Sequence, residues 1–500
     1  MIRPTHAFLP AALLLAAASS PALPLSPAPG YSVAVSEKTY ADPAWRKVAD
    51  ALAAKRAGVV VTFSDGSPES ARAKLAALAP DFIAFVAKPT ECGRAYAASA
   101  ARLARSLDAD PYDDAAWGIV TGVDADSALR QISRRSAVSV RSALGTTGLT
   151  EDRFERLLVF SDATAATRIS KSANGPVKRE TGAPDTDPSE WAAWFSKEKP
   201  DLVVTSSHGF ENGVEMPFGR GMIVSKGDSL HVVADLAAVK RDYAKRAEAG
   251  GGAKLPVIAH DATPRAWLAA GNCLVAHCTT PDALAPVVMS RYGVSQFAGY
   301  TVASWHGAAG WGALGLFLDG RYAYSMGDAI WFNRQKLVGE IAALSPAALS
   351  HAPAYDESSA CGTNILPFMV QSRRAGIIPA GTSRENERKL IGHLWDRDTF
   401  VLFGDPAVPV AFPASAKPHA PKIAFEPSAP GAWKFTCRWP SGAKLDGLPA
   451  LGFRFPKKFA AAPAAPGAPA GTLIADDFLL IPAPKPDASG SLAFELTEAR

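Results

Sequence analysis

The chain has 500 residues, with 52 Lys and Arg against 48 Asp and Glu, for a formal net charge of +4. That length exceeds what one hydrophobic core usually serves, so more than one domain is expected. The basic residues form no stripe interleaved with aromatics, which argues against a nucleic-acid binder, and 40 Gly with 40 Pro fit a globular chain with many turns.

Residues 1–22 read as a secretory signal peptide: Arg3, then the apolar FLPAALLLAAA, then the small residues Ser19, Ser20 and Ala22. The apolar run is too short for a normal membrane span, and later apolar runs are broken by Gly, His or charge. The expectation is a secreted or periplasmic protein with no membrane span. Five cysteines follow: Cys92, Cys273, Cys278, Cys361 and Cys437. An odd number in an exported chain leaves at least one thiol free unless it pairs with another chain.

Residues 23–44 read as a Pro- and Ala-rich lead-in. From Pro43 the pattern is helix (AWRKVADALAAKR), strand (GVVVTF), helix from Ser67-Pro68, strand (PDFIAFVAKP) and helix 91–107. This alternation predicts a parallel sheet covered by helices. No GxGxxG nucleotide fingerprint is present. LLVFSD predicts a strand, residues 170–190 a polar loop, and a helix near Glu190 leads to KPDLVVTSSHG. There a Pro turn and a short apolar run end on small polar residues and His208-Gly209, as a buried parallel strand delivering an imidazole to the carboxyl edge of a sheet would. Short antiparallel strands follow around MIVSKGDSLHVVADL, and residues 236–254 read as a basic, solvated helix.

A second delivery, PRAWLAAGNCLV, ends on Cys273. Pro281 and Asp282 suit the first turn of the next helix. VSQFAGYTVASWHG reads as a further strand ending on His306-Gly307, with a flexible loop from Gly307 to Gly315. Long helices are expected over 323–343 and 385–394, and FVLFGDPAVPV closes the α/β part. After Pro413 short alternating stretches such as WKFTCRW and LGFRF, broken by Pro and Gly, predict a small β-domain.

Two strands that bring His208 and Cys273 to one edge suggest a nucleophile–base dyad. The N–H of Gly209, with no side chain in the way, and the N–H of Cys273 itself are natural oxyanion donors. Small residues around both strand ends (Ser206 and Ser207, Ala270, Gly271 and Asn272) leave room for a substrate backbone. Cys278, ending CLVAHC, is the competing nucleophile. A metal site drawn from His260, His277, Cys273, Cys278 and Cys361 is a further alternative, although the spacing is not that of a Cys-x-x-Cys zinc site.

With these blocks in view, the sequence resembles the caspase-like cysteine peptidases, in particular the gingipain-type family. TSSHG matches the His-Gly block on His208 and Gly209, AWLAAGNC the nucleophile block on Cys273, and LFGDPAVPV a Gly-Asp-Pro turn before an immunoglobulin-like domain. The Cys block departs from the family in reading Gly-Asn-Cys-Leu, where a small residue beside the Cys and a Gly soon after it are more usual. After the signal peptide at 1–22 and the lead-in at 23–44, the resemblance, which covers roughly residues 45–500, implies α/β subdomains at 45–149 and 150–413 and a β-sandwich, immunoglobulin-like, at 414–500. It implies an exported cysteine endopeptidase acting on peptides or proteins, with no cofactor and an undetermined oligomeric state. It also places Ser304, Trp305 and His306 on the wall of the pocket for the residue before the scissile bond, and an Arg or Lys preference would need a floor carboxylate, for which Asp113, Asp114 and Asp162 are candidates. A scaffold of the same fold that has lost activity and serves as a cell-surface or binding protein is the other reading.

Overall fold

The computed structural model describes residues 30–498, apart from 65–66, 135–136, 183–187, 235–255, 320–321, 323, 356, 358–364 and 414–419. The signal-peptide reading, the basic helix expected over 236–254 and Cys361 lie outside the described residues.

Twelve strands form one sheet: β1 (Tyr31–Ser36), β2 (Val59–Phe63), β3 (Phe82–Val86), β4 (Ala116–Val120), β5 (Ser142–Gly145), β6 (Arg156–Phe160), β7 (Thr167–Lys171), β8 (Lys178–Thr181), β9 (Leu202–Thr205), β10 (Arg265–Ala269), β11 (Val294–Tyr300) and β12 (Phe400–Gly404). Their order is β2-β1-β3-β4-β12-β11-β10-β9-β5-β6-β7-β8. Strands β1 to β4 are mutually parallel and β12 runs parallel to β4. On its other side β12 is antiparallel to β11, while β11, β10, β9, β5 and β6 are again parallel to one another. The sheet therefore holds two parallel blocks of opposite direction joined at the β11–β12 seam, with β7 and β8 added antiparallel at one edge, and the carboxyl ends of β9, β10 and β11 share one edge.

Helices cover the sheet because their apolar stripes have nowhere else to be buried. The helix Pro43–Arg56 starts where the Asp42 side chain accepts from Ala44 N and Pro43 sets the first turn, and it ends on Ala57 in the left-handed region. Its Trp45, Val48 and Leu52 pack on Val33, Val35, Val86 and Val120 of the sheet. The helix Met326–Leu344 opens with a reciprocal Ser325–Asp328 capping box. No helix of the described residues is long and apolar enough to cross a membrane.

The expected α/β architecture followed by short antiparallel strands is what the chain forms. Two three-stranded sheets lie beyond residue 420: one from Lys422–Ala429, Ala432–Arg438 and Ser491–Thr497, the other from Leu451–Arg454, Leu473–Ile474 and Phe478–Ile481. The second packs on the helix Met326–Leu344. The Phe478 ring meets Trp331 edge-on at 5.3 Å and Tyr112 at 5.1 Å, and Tyr324 Oη donates to Gly452 O and accepts from Gly452 N.

Several local expectations are corrected. Residues 31–36, inside the stretch taken as a lead-in, form a fully buried strand paired on both sides. The polar loop expected at 170–190 holds the end of β7 and all of β8, an antiparallel edge whose outermost strand is wholly exposed. Gly307–Gly315 is the start of a helix, Ala308–Asp319, whose glycines admit close neighbours: a Cβ on Gly310 would lie 2.1 Å from Ala270 O. The helix after the Cys block begins at Leu284, so Pro281 and Asp282 precede it.

Candidate active site

The β9 and β10 strands run in register to Thr205 and Ala269, side by side. Trp267 Nε1 donates to Thr205 Oγ1 at 2.9 Å and ties their ends together. Beyond Thr205 the chain is held by Thr146, which follows β5. Its Oγ1 accepts from Ser206 N at 3.0 Å and donates to Ser206 O at 3.2 Å. Ser207 then adopts φ +97°, a strained value for a residue with a side chain. It turns the chain so that His208 leaves the sheet and its ring is exposed at the edge.

Asn272 locks this turn to the Cys block. It is fully buried, and its Nδ2 donates to the carbonyls of Ser207 (3.2 Å) and His208 (3.0 Å). Gly209 approaches from the other side. A Cβ there would lie 2.6 Å from Cys273 O, 2.8 Å from Asn272 Cβ and 2.9 Å from Val275 Cγ1. The glycine after His208 is thus required by close packing as well as by any chemistry. Since Glu215 N donates to His208 O at 2.9 Å, Gly209 and Val214 face each other as a non-hydrogen-bonded pair of the hairpin. The Gly209 N–H therefore points out of that hairpin.

Cys273 is half-buried. Ser304 N donates to its Sγ at 3.4 Å, and the Ser304 hydroxyl, 3.6 Å from Sγ, donates to Gly271 O at 2.8 Å. Leu274, at φ +63°, redirects the chain so that Leu274 N and Ala276 N donate to Val302 O and Tyr300 O. Behind this edge Asp396, buried, accepts from Ala309 N at 3.0 Å and from Tyr300 Oη at 3.3 Å. Burial raises its carboxyl to about 7.

Of the other residues expected at the site, Trp305 is 52 % exposed. The His306 ring packs on the backbone of the helix Arg384–Arg397, where a Cβ on Gly392 would lie 2.1 Å from its Cγ, and burial and then Arg388 lower its pKa. Asp113 and Asp114 are engaged elsewhere. Asp113 lies 3.8 Å from the buried Arg334 guanidinium, and Asp114 pairs with Lys458 at 2.9 Å. Asp162 lies in the turn after β6. Cys278 is fully buried and donates to Pro89 O, and burial pushes its pKa well up, the opposite of what a nucleophile needs.

The proposed metal ligands are dispersed in bonding terms. His260 Nε2 bonds Ser229 Oγ, whereas His277 lies between Glu357 (2.9 Å) and Glu211 (3.6 Å). Among the described residues the carboxylates of Asp108, Asp110 and Asp476 could hold a cation, their oxygens lying within 4.8 Å of one another. The Lys458 ammonium already sits 2.9 Å from Asp108 and 3.2 Å from Asp476.

Thr146 and Asn272 are the residues the sequence reading missed as positioning groups. Asn272 was visible as the polar residue beside the thiol, but only the folded backbone shows that it donates to the His208 turn.

Fold and site together describe a mixed α/β protein that carries an imidazole and a thiol on neighbouring strand ends. No protein-family model and no curated protein matches the sequence. Two solved structures are similar: the Arg-specific cysteine proteinase gingipain R, at 10% identity and a TM-score of 0.41 over 94% of this chain and 98% of that one, and a protein described as a protease, at 9% and 0.38 over 95% and 98%.

Proposed function

We propose that the protein is an exported cysteine endopeptidase, secreted or periplasmic, with Cys273 as nucleophile and His208 as base and acid. The observation that carries this reading is the mutual clamping of two strand ends. Asn272 holds the Ser207-His208 turn through two carbonyls, and Gly209 packs directly on the carbonyl of Cys273.

In this mechanism His208 takes the thiol proton and Sγ attacks the scissile carbonyl carbon. A C–S bond forms as the carbonyl electron pair moves onto oxygen. The N–H groups of Gly209 and Cys273 hold the resulting oxyanion. When the intermediate collapses the C–N bond breaks, and His208 delivers its proton to the leaving amine. Water, deprotonated by His208, then attacks the thioester; the acid product leaves and the thiol is restored. Before attack, the Ser304 N–H is placed to donate to the sulfur, 3.4 Å away. No cofactor enters any step.

The test is hydrolysis of a broad peptide panel by wild type, Cys273→Ala and Cys278→Ala. The reading requires turnover in wild type and in Cys278→Ala and none in Cys273→Ala. Equal rates in wild type and Cys273→Ala would remove Cys273 from the mechanism, and no cleavage by any folded form would favour a scaffold that binds without cutting.

A further inference from the structure

The Cys block carries a second thiol whose surroundings the reaction does not use. Cys278 N donates to Cys92 O at 3.3 Å, which places the two Cα atoms about 7 Å apart at most, the upper end of the range a disulfide spans. Both thiols are buried. Their sulfurs converge on carbonyls of consecutive residues: Cys92 Sγ donates to Lys88 O at 3.2 Å and Cys278 Sγ to Pro89 O at 3.3 Å. Flanking bonds fix the segment, because Thr279 N and Oγ1 both donate to Glu211 Oε1.

We propose that Cys92 and Cys278 are a disulfide-forming pair that cross-links the nucleophile loop to the turn before the helix Arg94–Ala104. The co-reactant is an external disulfide. The thiolate of one cysteine attacks a sulfur of that disulfide, forming a mixed disulfide and releasing one thiolate. The second cysteine's thiolate then displaces the other. Two electrons pass from the cysteine pair to the external disulfide, and the two cysteine protons end on the two small thiols released. Since both groups are buried, oxidation needs the segment to open locally, so it is slow in the resting fold. The bond ties the two oppositely directed blocks of the sheet, and it leaves Cys273 free. The inference does not depend on the peptidase reading.

The full chain is held in excess oxidised over reduced glutathione, with urea just below its unfolding midpoint to admit the reagent. It is then denatured, alkylated and digested without reduction. The expected result is a linked peptide pair containing Cys92 and Cys278, alkylated Cys273, and separation of the pair by dithiothreitol. The oxidised form should also melt roughly 5 °C above the reduced one, a difference absent from the variant carrying both Cys92→Ser and Cys278→Ser. Full alkylation of Cys92 and Cys278 after oxidation, or linkage of either to another cysteine, overturns the proposal.

Discussion

Replacing Asn272 by Ala tests whether the two strand ends are clamped as described. The side chain is fully buried and donates two hydrogen bonds, to Ser207 O and His208 O. A buried hydrogen bond is worth about 1 kcal/mol net, and a buried carbonyl left without its donor costs about 1–3 kcal/mol. His208 O keeps the Glu215 N–H, so only Ser207 O is orphaned. The sum is a loss of about 2–4 kcal/mol in unfolding free energy. The functional effect should be larger in proportion, because a base displaced by about 1 Å costs on the order of 100-fold in rate. Asn272→Asp should be worse than Ala near neutral pH, since it sets a carboxylate against two carbonyl oxygens, and should recover as the pH falls and the acid regains a proton to donate. Urea unfolding and the peptide-hydrolysis rate per titrated thiol measure the two effects. A variant with unchanged midpoint and unchanged rate would refute the clamp, and Asp behaving better than Ala at pH 7 would refute its hydrogen-bond polarity.

Gly209→Ala should destabilise by about 1–3 kcal/mol, because its Cβ would meet backbone and short side chains under 3 Å away; a thermal melt superimposable on wild type would contradict that packing. Asp396 gives a pH signature. Its folded pKa of about 7 lies above the unfolded value, so the stability it contributes is complete below about pH 4 and is lost as the pH rises through 7. Asp396→Asn should flatten that part of the stability–pH curve by an amount on the order of a few kcal/mol, and an unchanged slope in unfolding experiments from pH 4 to 8 would exclude the assignment. Ending the chain after Pro413 should strip the cover from Trp331 and Phe332 and lower solubility and melting temperature more than the rate per titrated thiol. A collapsed rate with an unchanged melt would place part of the tail in the active site.

What could be read beforehand followed from local pattern. Leu202–Thr205 and Arg265–Ala269 are wholly buried parallel strands, and such strands show as short apolar runs bounded by turn residues. His208 and Cys273 stood out because each follows such a run. The strand Tyr31–Ser36 was missed because its run is short and continues a Pro-rich stretch, and its burial depends on Val59–Phe63 and Phe82–Val86 closing on either side. The helix Ala308–Asp319 was hidden by its glycines, which signal a loop locally but here allow the helix to press on Ala270 O. The reversal at β11–β12 pairs residues about 100 apart in sequence, which no local pattern encodes. The same holds for Thr146, whose contact with Ser206 joins segments 60 residues apart.

The central claim is that Cys273 is a nucleophile activated by His208. The direct measurement is labelling of the native chain with a panel of peptidyl electrophiles that capture thiolates, followed by peptide mapping of the adduct in wild type and in His208→Ala. The account predicts stoichiometric modification at Cys273 in wild type and a rate at least 100-fold lower in His208→Ala, with Cys278 unlabelled in both. Labelling of Cys273 at equal rates in the two proteins, or an adduct on Cys278, would contradict it.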